Sequence, residues 1–265
     1  MLKSIASNVH KGSFPHVAIF EGSIEKRGAS RMAAYAALRA GAGLVTLLVA
    51  DPLHNVPGDM PEFMKRTAFD TDLTGFSIVV MGPGLASRDK MVLASTIFKA
   101  ALHQNVPMIL DAGALELLSE LTADDKSDSI IIATPHPGEA GRLLGVSAEV
   151  IQQDRVGALN RLLEISNRLP VKVIWVLKGA NTMVADGDRR HICEGDCPAL
   201  AVGGSGDVLG GAIAGLWGRA DDAFDCARIG VVAHFAAGRM LSAKSPRGHF
   251  ASEIADQLPV ALMQG

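Results

Sequence analysis

The stretch from Leu200 to Gly215 reads LAVGGSGDVLGGAIAG. A glycine-rich turn ends in an acid, Asp207, and an apolar helix of small residues starts at once. Glycine reaches backbone angles that other residues avoid, so such a turn exposes N–H groups. The first turn of a helix has unpaired N–H donors and a partial positive charge. Together these make an anion site with Asp207 on its rim. Backbone donors for a phosphate beside a carboxylate base suggest phosphoryl transfer onto a hydroxyl. Asp207 can also be a helix cap. Capping alone does not ask for Gly203, Gly204 and Gly206 together, which favours the site.

The rest of the chain supplies what such a turn needs behind it. Val17–Phe20, Leu44–Val49, Ile78–Met81, Met108–Leu110, Ile130–Ala133 and Val171–Leu177 read as short apolar strands. Their lack of alternation predicts a sheet covered on both faces. Between them the pattern predicts helices over Gly28–Ala40, Lys90–His103, Ala114–Leu121 and a long one over Val150–Arg168. A loop holding Pro52, Pro57, Gly58 and Pro61 follows the second strand. Thr182–Ala185 and Arg190–Cys193 read as a hairpin across Asp186-Gly187-Asp188. Three helices follow the glycine turn. Alternating strands and helices predict an α/β, three-layer αβα fold with a mostly parallel central sheet. No linker divides the 265 residues, of which 48% are hydrophobic, so one domain over residues 1–265 is expected.

Composition narrows the partners. A net charge of -3 gives no polybasic face for nucleic acid or an anionic membrane. No apolar run reaches membrane-spanning length. His10, Lys11 and Pro15 interrupt any signal-peptide pattern, so the cytoplasm is the expected compartment. Cys193, Cys197 and Cys226 are an odd set, read as free thiols.

Several strands run into loops of similar character: Gly82-Pro83-Gly84, Asp111-Ala112-Gly113, Thr134-Pro135-His136 and Lys178-Gly179. Ligands of open α/β sheets sit beyond the carboxyl ends of the strands, so these loops should surround one crevice with Gly203–Asp207. No Walker A loop and no dinucleotide fingerprint is present. His136 and Glu139 open a helix; they are either a substrate contact and a holder of magnesium-bound water, or a turn residue and a helix-end charge. Lys178 either neutralises phosphate or is a solvated strand end. Asp111 is either a site acid or a cap.

Thr134-Pro135-His136-Pro137-Gly138-Glu139, Leu177-Lys178-Gly179 and Gly203-Gly204-Ser205-Gly206-Asp207 resemble the ribokinase-like fold. More narrowly, the chain resembles the ADP/ATP-dependent NAD(P)H-hydrate dehydratases. His10-Lys11-Gly12, Gly22-Ser23, Gly28-Ala29, Ala37–Val45 and Met81–Leu85 match that family in order. The resemblance implies repair of hydrated NADH or NADPH (NADHX, NADPHX), with ADP or ATP as co-substrate and Mg2+. The nucleotide phosphate activates the hydrate hydroxyl, and its elimination restores the cofactor. By position, Asp207 would take the hydroxyl proton, and Gly204, Ser205 and Gly206 would form the anion hole. Lys178, Gly179, Ala180, Asn181, Thr182 and Gly206 would bind the adenine nucleotide. Ala29, Gly84, His136 and Asp207 would line the hydrate pocket, and Glu139 would orient metal-bound water. The resemblance also implies no fused epimerase domain, a separate epimerase protein as partner, and a homo-oligomer, expected to be a tetramer. A small-residue face at Ala33, Ala34, Ala36 and Ala37 suits such packing.

The departures from the family pattern fall mostly on the substrate side. Glu21 stands where a glycine is usual, and Lys26-Arg27 where the turn usually has an aromatic. Asp111-Ala112-Gly113-Ala114-Leu115-Glu116 replaces Asp-Ala-Asp-Ala-Leu-Asn. Pro15 and Ala86 replace glycines, Val202 a threonine, and Asp196-Cys197-Pro198-Ala199 an Asn-Pro-Gly stretch. The phosphate side is intact. A ribokinase-like small-molecule kinase, acting on a hydroxymethyl vitamin precursor or sugar, is the alternative, and a non-catalytic nucleotide-binding relative is a third. The base at Asp207 argues against the third.

Overall fold

The computed structural model describes residues 2–50, 59–85 and 88–264. The expected loop at Pro52, Pro57 and Gly58, and the departure at Ala86, lie outside them. Strands β1 (His16–Phe20), β2 (Leu44–Val49), β3 (Phe63–Thr67), β4 (Ile78–Met81), β5 (Met108–Leu110), β6 (Ile130–Ala133), β7 (Lys172–Leu177), β8 (Thr182–Ala185) and β9 (Arg190–Cys193) form one sheet. Its order is β3-β2-β1-β4-β5-β6-β7-β8-β9. The pairs from β3 to β7 are parallel, and the β8–β9 hairpin adds two antiparallel pairs.

Both faces of the sheet are covered, which is why its strands read as unbroken apolar runs. Ala18, Phe20, Met81 and Trp175 point to one face, against α2 (Arg88–His103), α3 (Pro137–Leu144), α4 (Ala148–Gln153) and α5 (Arg155–Ser166). Val17, Ile19, Val80 and Ile174 point to the other, against α1 (Arg27–Ala40), α6 (Ser205–Gly215) and α7 (Ala223–Ser242). Helix α8 (Ala251–Ala261) packs outside that second layer.

Helices α1 and α6 approach through small residues. A Cβ on Gly211 would stand 2.1 Å from Ala33 O, and one on Gly215 2.4 Å from Ala37 O. Ala33, Ala34, Ala36 and Ala37 are fully buried within the chain. The small-residue face therefore packs on the chain's own helix and sheet, and offers no surface to another copy.

Three elements differ from the sequence reading. The long helix over Val150–Arg168 is two helices, broken at Asp154, whose φ and ψ are -138° and 78°. The Asp154 carboxylate accepts from Gly157 N at 2.7 Å, so it caps a new helix where continuity was expected. The segment Ala112–Glu120 is a 3-10 helix entered through Ala112 at φ 48°. Strand β3 was not foreseen. It is an edge strand with Met64 exposed and with Lys65 and Arg66 partly so, and it carries little of the apolar signal of a buried strand.

Candidate active site

Parallel strands β1, β4, β5, β6 and β7 run into Glu21, Gly82, Asp111, Thr134 and Lys178 at their carboxyl ends. The loops there meet backbone to backbone. A Cβ on Gly82 would lie 1.8 Å from Asp111 O, and one on Gly22 2.3 Å from the carbonyl carbon of Gly84. These approaches draw Ser23, Gly84 and Asp111 together, and Ser23 N donates to Gly84 O at 3.0 Å.

Lys178 is the centre of the charges. Its ammonium is bonded to Asp111 Oδ1 and stands 3.7 Å from Glu139 Oε2. Asp111 Oδ1 also accepts from Thr134 Oγ1 at 2.9 Å, so this carboxylate faces the site and caps no helix. Burial pulls the Lys178 ammonium down, but the carboxylates of Asp111, Glu139 and Asp207 outweigh it and hold the pKa above its ordinary value. Lys178 is thus a half-buried, charged strand end. Arg155 braces it from behind: Nη2 donates to Leu177 O at 3.0 Å and to Lys178 O at 3.2 Å.

Glu139 has a structural task as well. Its Oε2 accepts from His136 N at 2.7 Å, while His136 Nδ1 accepts from Gly138 N at 2.9 Å. The two form a capping box at the start of α3. Glu139 is buried and His136 is exposed.

The glycine turn leads into α6. Gly204 is its N-cap at φ 93°, left-handed backbone that suits glycine, whereas Gly206 already lies in the helix. Ser205 N donates to Val202 O at 3.2 Å, so what Ser205 can offer an anion is its hydroxyl. The amides of Gly206 and Asp207 meet no acceptor among the described residues. Asp207 is in the first turn and caps nothing. Burial above all, and then the Asp111 charge, push its carboxyl up to about 6, with Lys178 pulling the other way. That is a stronger base than an ordinary aspartate and is still ionised at neutral pH.

A cavity of about 730 Å3 opens between the β8–β9 hairpin, the 195–202 loop and helices α6 and α7. Its wall includes His136, Lys178, Gly179, Ala180, Thr182, Ser205 and Gly206. Asn181 is not on that wall: its Oδ1 accepts from Gly195 N at 2.7 Å, and it faces a separate shallow depression. Asp207, Gly204, Ala29 and Gly84 are not on the wall either. Gly206 and Lys178 are on the wall, and Asp207, the next residue after Gly206, is off it. A Cβ on Gly204 would lie 3.7 Å from Met32 Cγ of α1. Met32 lines a second, mostly apolar depression of about 480 Å3 with Gly28, Arg31, Tyr35 and Phe63.

A family model described as NAD(P)H-hydrate dehydratase matches residues 17–260. The chain belongs to this family. Among curated relatives, the bifunctional NAD(P)H-hydrate repair enzyme Nnr of Coxiella burnetii is 38% identical over 270 residues, covering 98% of this chain and 53% of that protein. The ADP-dependent (S)-NAD(P)H-hydrate dehydratase of Neisseria meningitidis is 35% identical, covering 96% of this chain and 87% of that one. The chain spans about half the length of the bifunctional relatives it matches. The ADP/ATP-dependent NAD(P)H-hydrate dehydratase of Bacillus subtilis, co-crystallised with ATP/Mg2+, superposes with a TM-score of 0.83 at 27% identity, over 99% of this chain and 94% of that one. A ribokinase-like superfamily protein of Enterococcus faecalis shares the fold, with a TM-score of 0.80 at 24% identity, over 99% of this chain and 92% of that one. The fold of this dehydratase family member is therefore the expected α/β ribokinase-like one.

Asp111, Thr134, Arg155 and His234 join the site without having been singled out as site residues; Asp111 alone had been weighed as one. Two of the departures from the family pattern, Glu21 and Arg27, join one network with Arg31 and Asp59. Glu21 is buried, its Oε1 stands 3.2 Å from Arg27 Nε, and its Oε2 is bonded to Arg31. Arg31 Nε in turn reaches Asp59 Oδ1 at 2.9 Å. Cys193, Cys197 and Cys226 are free thiols. Among the described residues no helix is long and apolar enough to cross a membrane.

Proposed function

We propose that this chain dehydrates hydrated NADH or NADPH at the expense of an adenine nucleotide. The observation that carries the reading is a raised carboxylate base, Asp207, directly following Gly206, which lines a nucleotide-sized cavity. The nucleotide occupies the cavity, with its terminal phosphate on the free amides at the start of α6, the Ser205 hydroxyl and Lys178. The hydrate lies on the Asp207 side, towards Ala29 and Gly84; His136, expected beside the hydrate, lines the large cavity instead. Asp207 takes the proton of the hydrate hydroxyl as that oxygen bonds to phosphorus and the nucleotide leaves. Phosphate then departs with the C–O bond, and loss of a ring proton restores the double bond. The printed names of the Neisseria and Bacillus relatives support dependence on ADP or ATP.

Magnesium fits this site only as a companion of the nucleotide. No cluster of three or more ligating side chains exists among the described residues, and Asp111 and Glu139 are already engaged by Lys178 and His136. Mg2+ keeps most of its waters and binds through phosphates, so Glu139 would reach it through water. When bound, it would neutralise phosphate charge.

The Glu21–Arg27–Arg31 network favours a second reading, in which a remodelled pocket takes a different hydroxyl and the chain is a small-molecule kinase. One assay separates the two. The protein is incubated with NADHX, magnesium and ADP or ATP, and the dihydronicotinamide absorbance is followed. Recovery of absorbance supports repair. No recovery, with nucleotide consumed only when a hydroxymethyl compound or sugar is added, supports the kinase. The oligomer, proposed as a tetramer, now rests on the resemblance alone, and a monomeric mass by light scattering would remove it.

A further inference from the structure

Helix α7 carries a histidine into the wall of the large cavity. His234 is 8% exposed, and its Nε2 lies 3.1 Å from Ser205 Oγ. Neighbouring inward positions of α7, Ala233 and Ala237, are apolar. A buried imidazole is a costly choice there unless its nitrogen is used. Burial, aided by Lys178 and opposed by the Ser205 backbone, lowers its pKa to about 4, so the ring is neutral and one nitrogen carries the single proton.

Ser205 has two donors. Its N–H is taken by Val202 O. If His234 Nε2 accepted from Ser205, the hydroxyl proton would also be taken, and oxygen lone pairs would face the bound anion. If Nε2 carries the proton, it donates to Ser205 Oγ, and the hydroxyl proton is left for the phosphate. We infer that His234 is a positioning residue: its Nε2–H holds Ser205 Oγ and commits the Ser205 hydroxyl to donate to the nucleotide phosphate. The inference rests on the phosphate reading of the α6 turn proposed above.

Calorimetric titration of wild type with magnesium–ATP comes first, because no binding by wild type would overturn the phosphate reading and this inference with it. Given wild-type binding, Ser205→Ala and His234→Ala should each weaken affinity roughly tenfold, the value of a hydrogen bond to a charged group. The double variant should lose no more than either single one, since both remove the same bond. His234→Gln, which keeps a donor near the Nε2 position, should regain most of the affinity. Wild-type affinity in His234→Ala, or losses that multiply in the double variant, would overturn the inference. The ring nitrogen shifts of His234 in 15N-labelled wild-type protein test it without any substitution. Protonated Nε2 is expected, and protonated Nδ1 would overturn it.

Discussion

Lys178, at the end of β7, and Asp111, at the end of β5, are bonded to each other beside Gly206. A Cβ on Gly206 would lie 3.4 Å from Lys178 Nζ and 3.6 Å from Asp111 Oδ2. Burial raises the basicity of Asp207 most, and the pair tunes it, with Asp111 raising it further and Lys178 lowering it.

A pH profile follows from that pair. The base must be ionised to act, so kcat/KM of the nucleotide-dependent reaction should fall on the acid side with an apparent pKa near 6. Asp111→Asn removes the like charge and frees Lys178 to act on Asp207. Its acid limb should move to lower pH. An unmoved limb would show that another group controls it.

Asp207 should also cost stability. Its carboxyl titrates at about 6 in the folded chain against an ordinary 3.8, so folding disfavours the ionised form. The cost is absent below about pH 4 and complete above about pH 6, worth on the order of 2–3 kcal/mol. Asp207→Asn should therefore unfold at a higher temperature than wild type at pH 7.5, and the gain should vanish near pH 4. Calorimetry at the two pH values checks it.

The two glycines of the turn should behave differently. Gly206→Val would close the anion site without straining the turn, because the left-handed backbone belongs to Gly204. A Gly206→Val chain should fold but not bind nucleotide, its branches covering the Lys178–Asp111 pair. Gly204→Ala should lose about 1–2 kcal/mol of stability, since an L-residue is strained at φ 93° and the new Cβ would meet Ala251 Cβ at 3.0 Å. Thermal melts and nucleotide titrations of both variants separate the effects.

Glu21 holds two guanidinium groups, Arg27 and Arg31, that are largely buried. Glu21→Ala would leave them without their shared carboxylate, and breaking such a pair costs about 3–5 kcal/mol. Denaturant unfolding should show a loss of that order. A loss under about 1 kcal/mol would mean that Asp59 and solvent suffice.

What the sequence made legible follows the range of the interactions. Strands such as Ile78–Met81 and Met108–Leu110 are apolar throughout because helices cover both faces, so their bounds could be read directly. Edge strand β3 lacks that signal. The break at Asp154 was hidden because one side-chain bond to Gly157 interrupts an otherwise helical pattern. The glycine turn and its acid were legible because they are contiguous. Asp111 with Lys178, and Ser205 with His234, lie 67 and 29 residues apart and meet only through the sheet and α7. Glu21 and Arg27 looked like separate departures from the family, and their ion pair makes them one change.

The account rests on Asp207 as the base of a nucleotide-dependent phosphoryl transfer. Its most direct test is Asp207→Asn in the hydrate-repair assay, with magnesium–ATP affinity measured on the same sample. A positioned base contributes a factor of about 10² to 10⁴, so turnover should fall by roughly two orders of magnitude or more with nucleotide affinity nearly kept. Full turnover in the Asn variant would contradict the account.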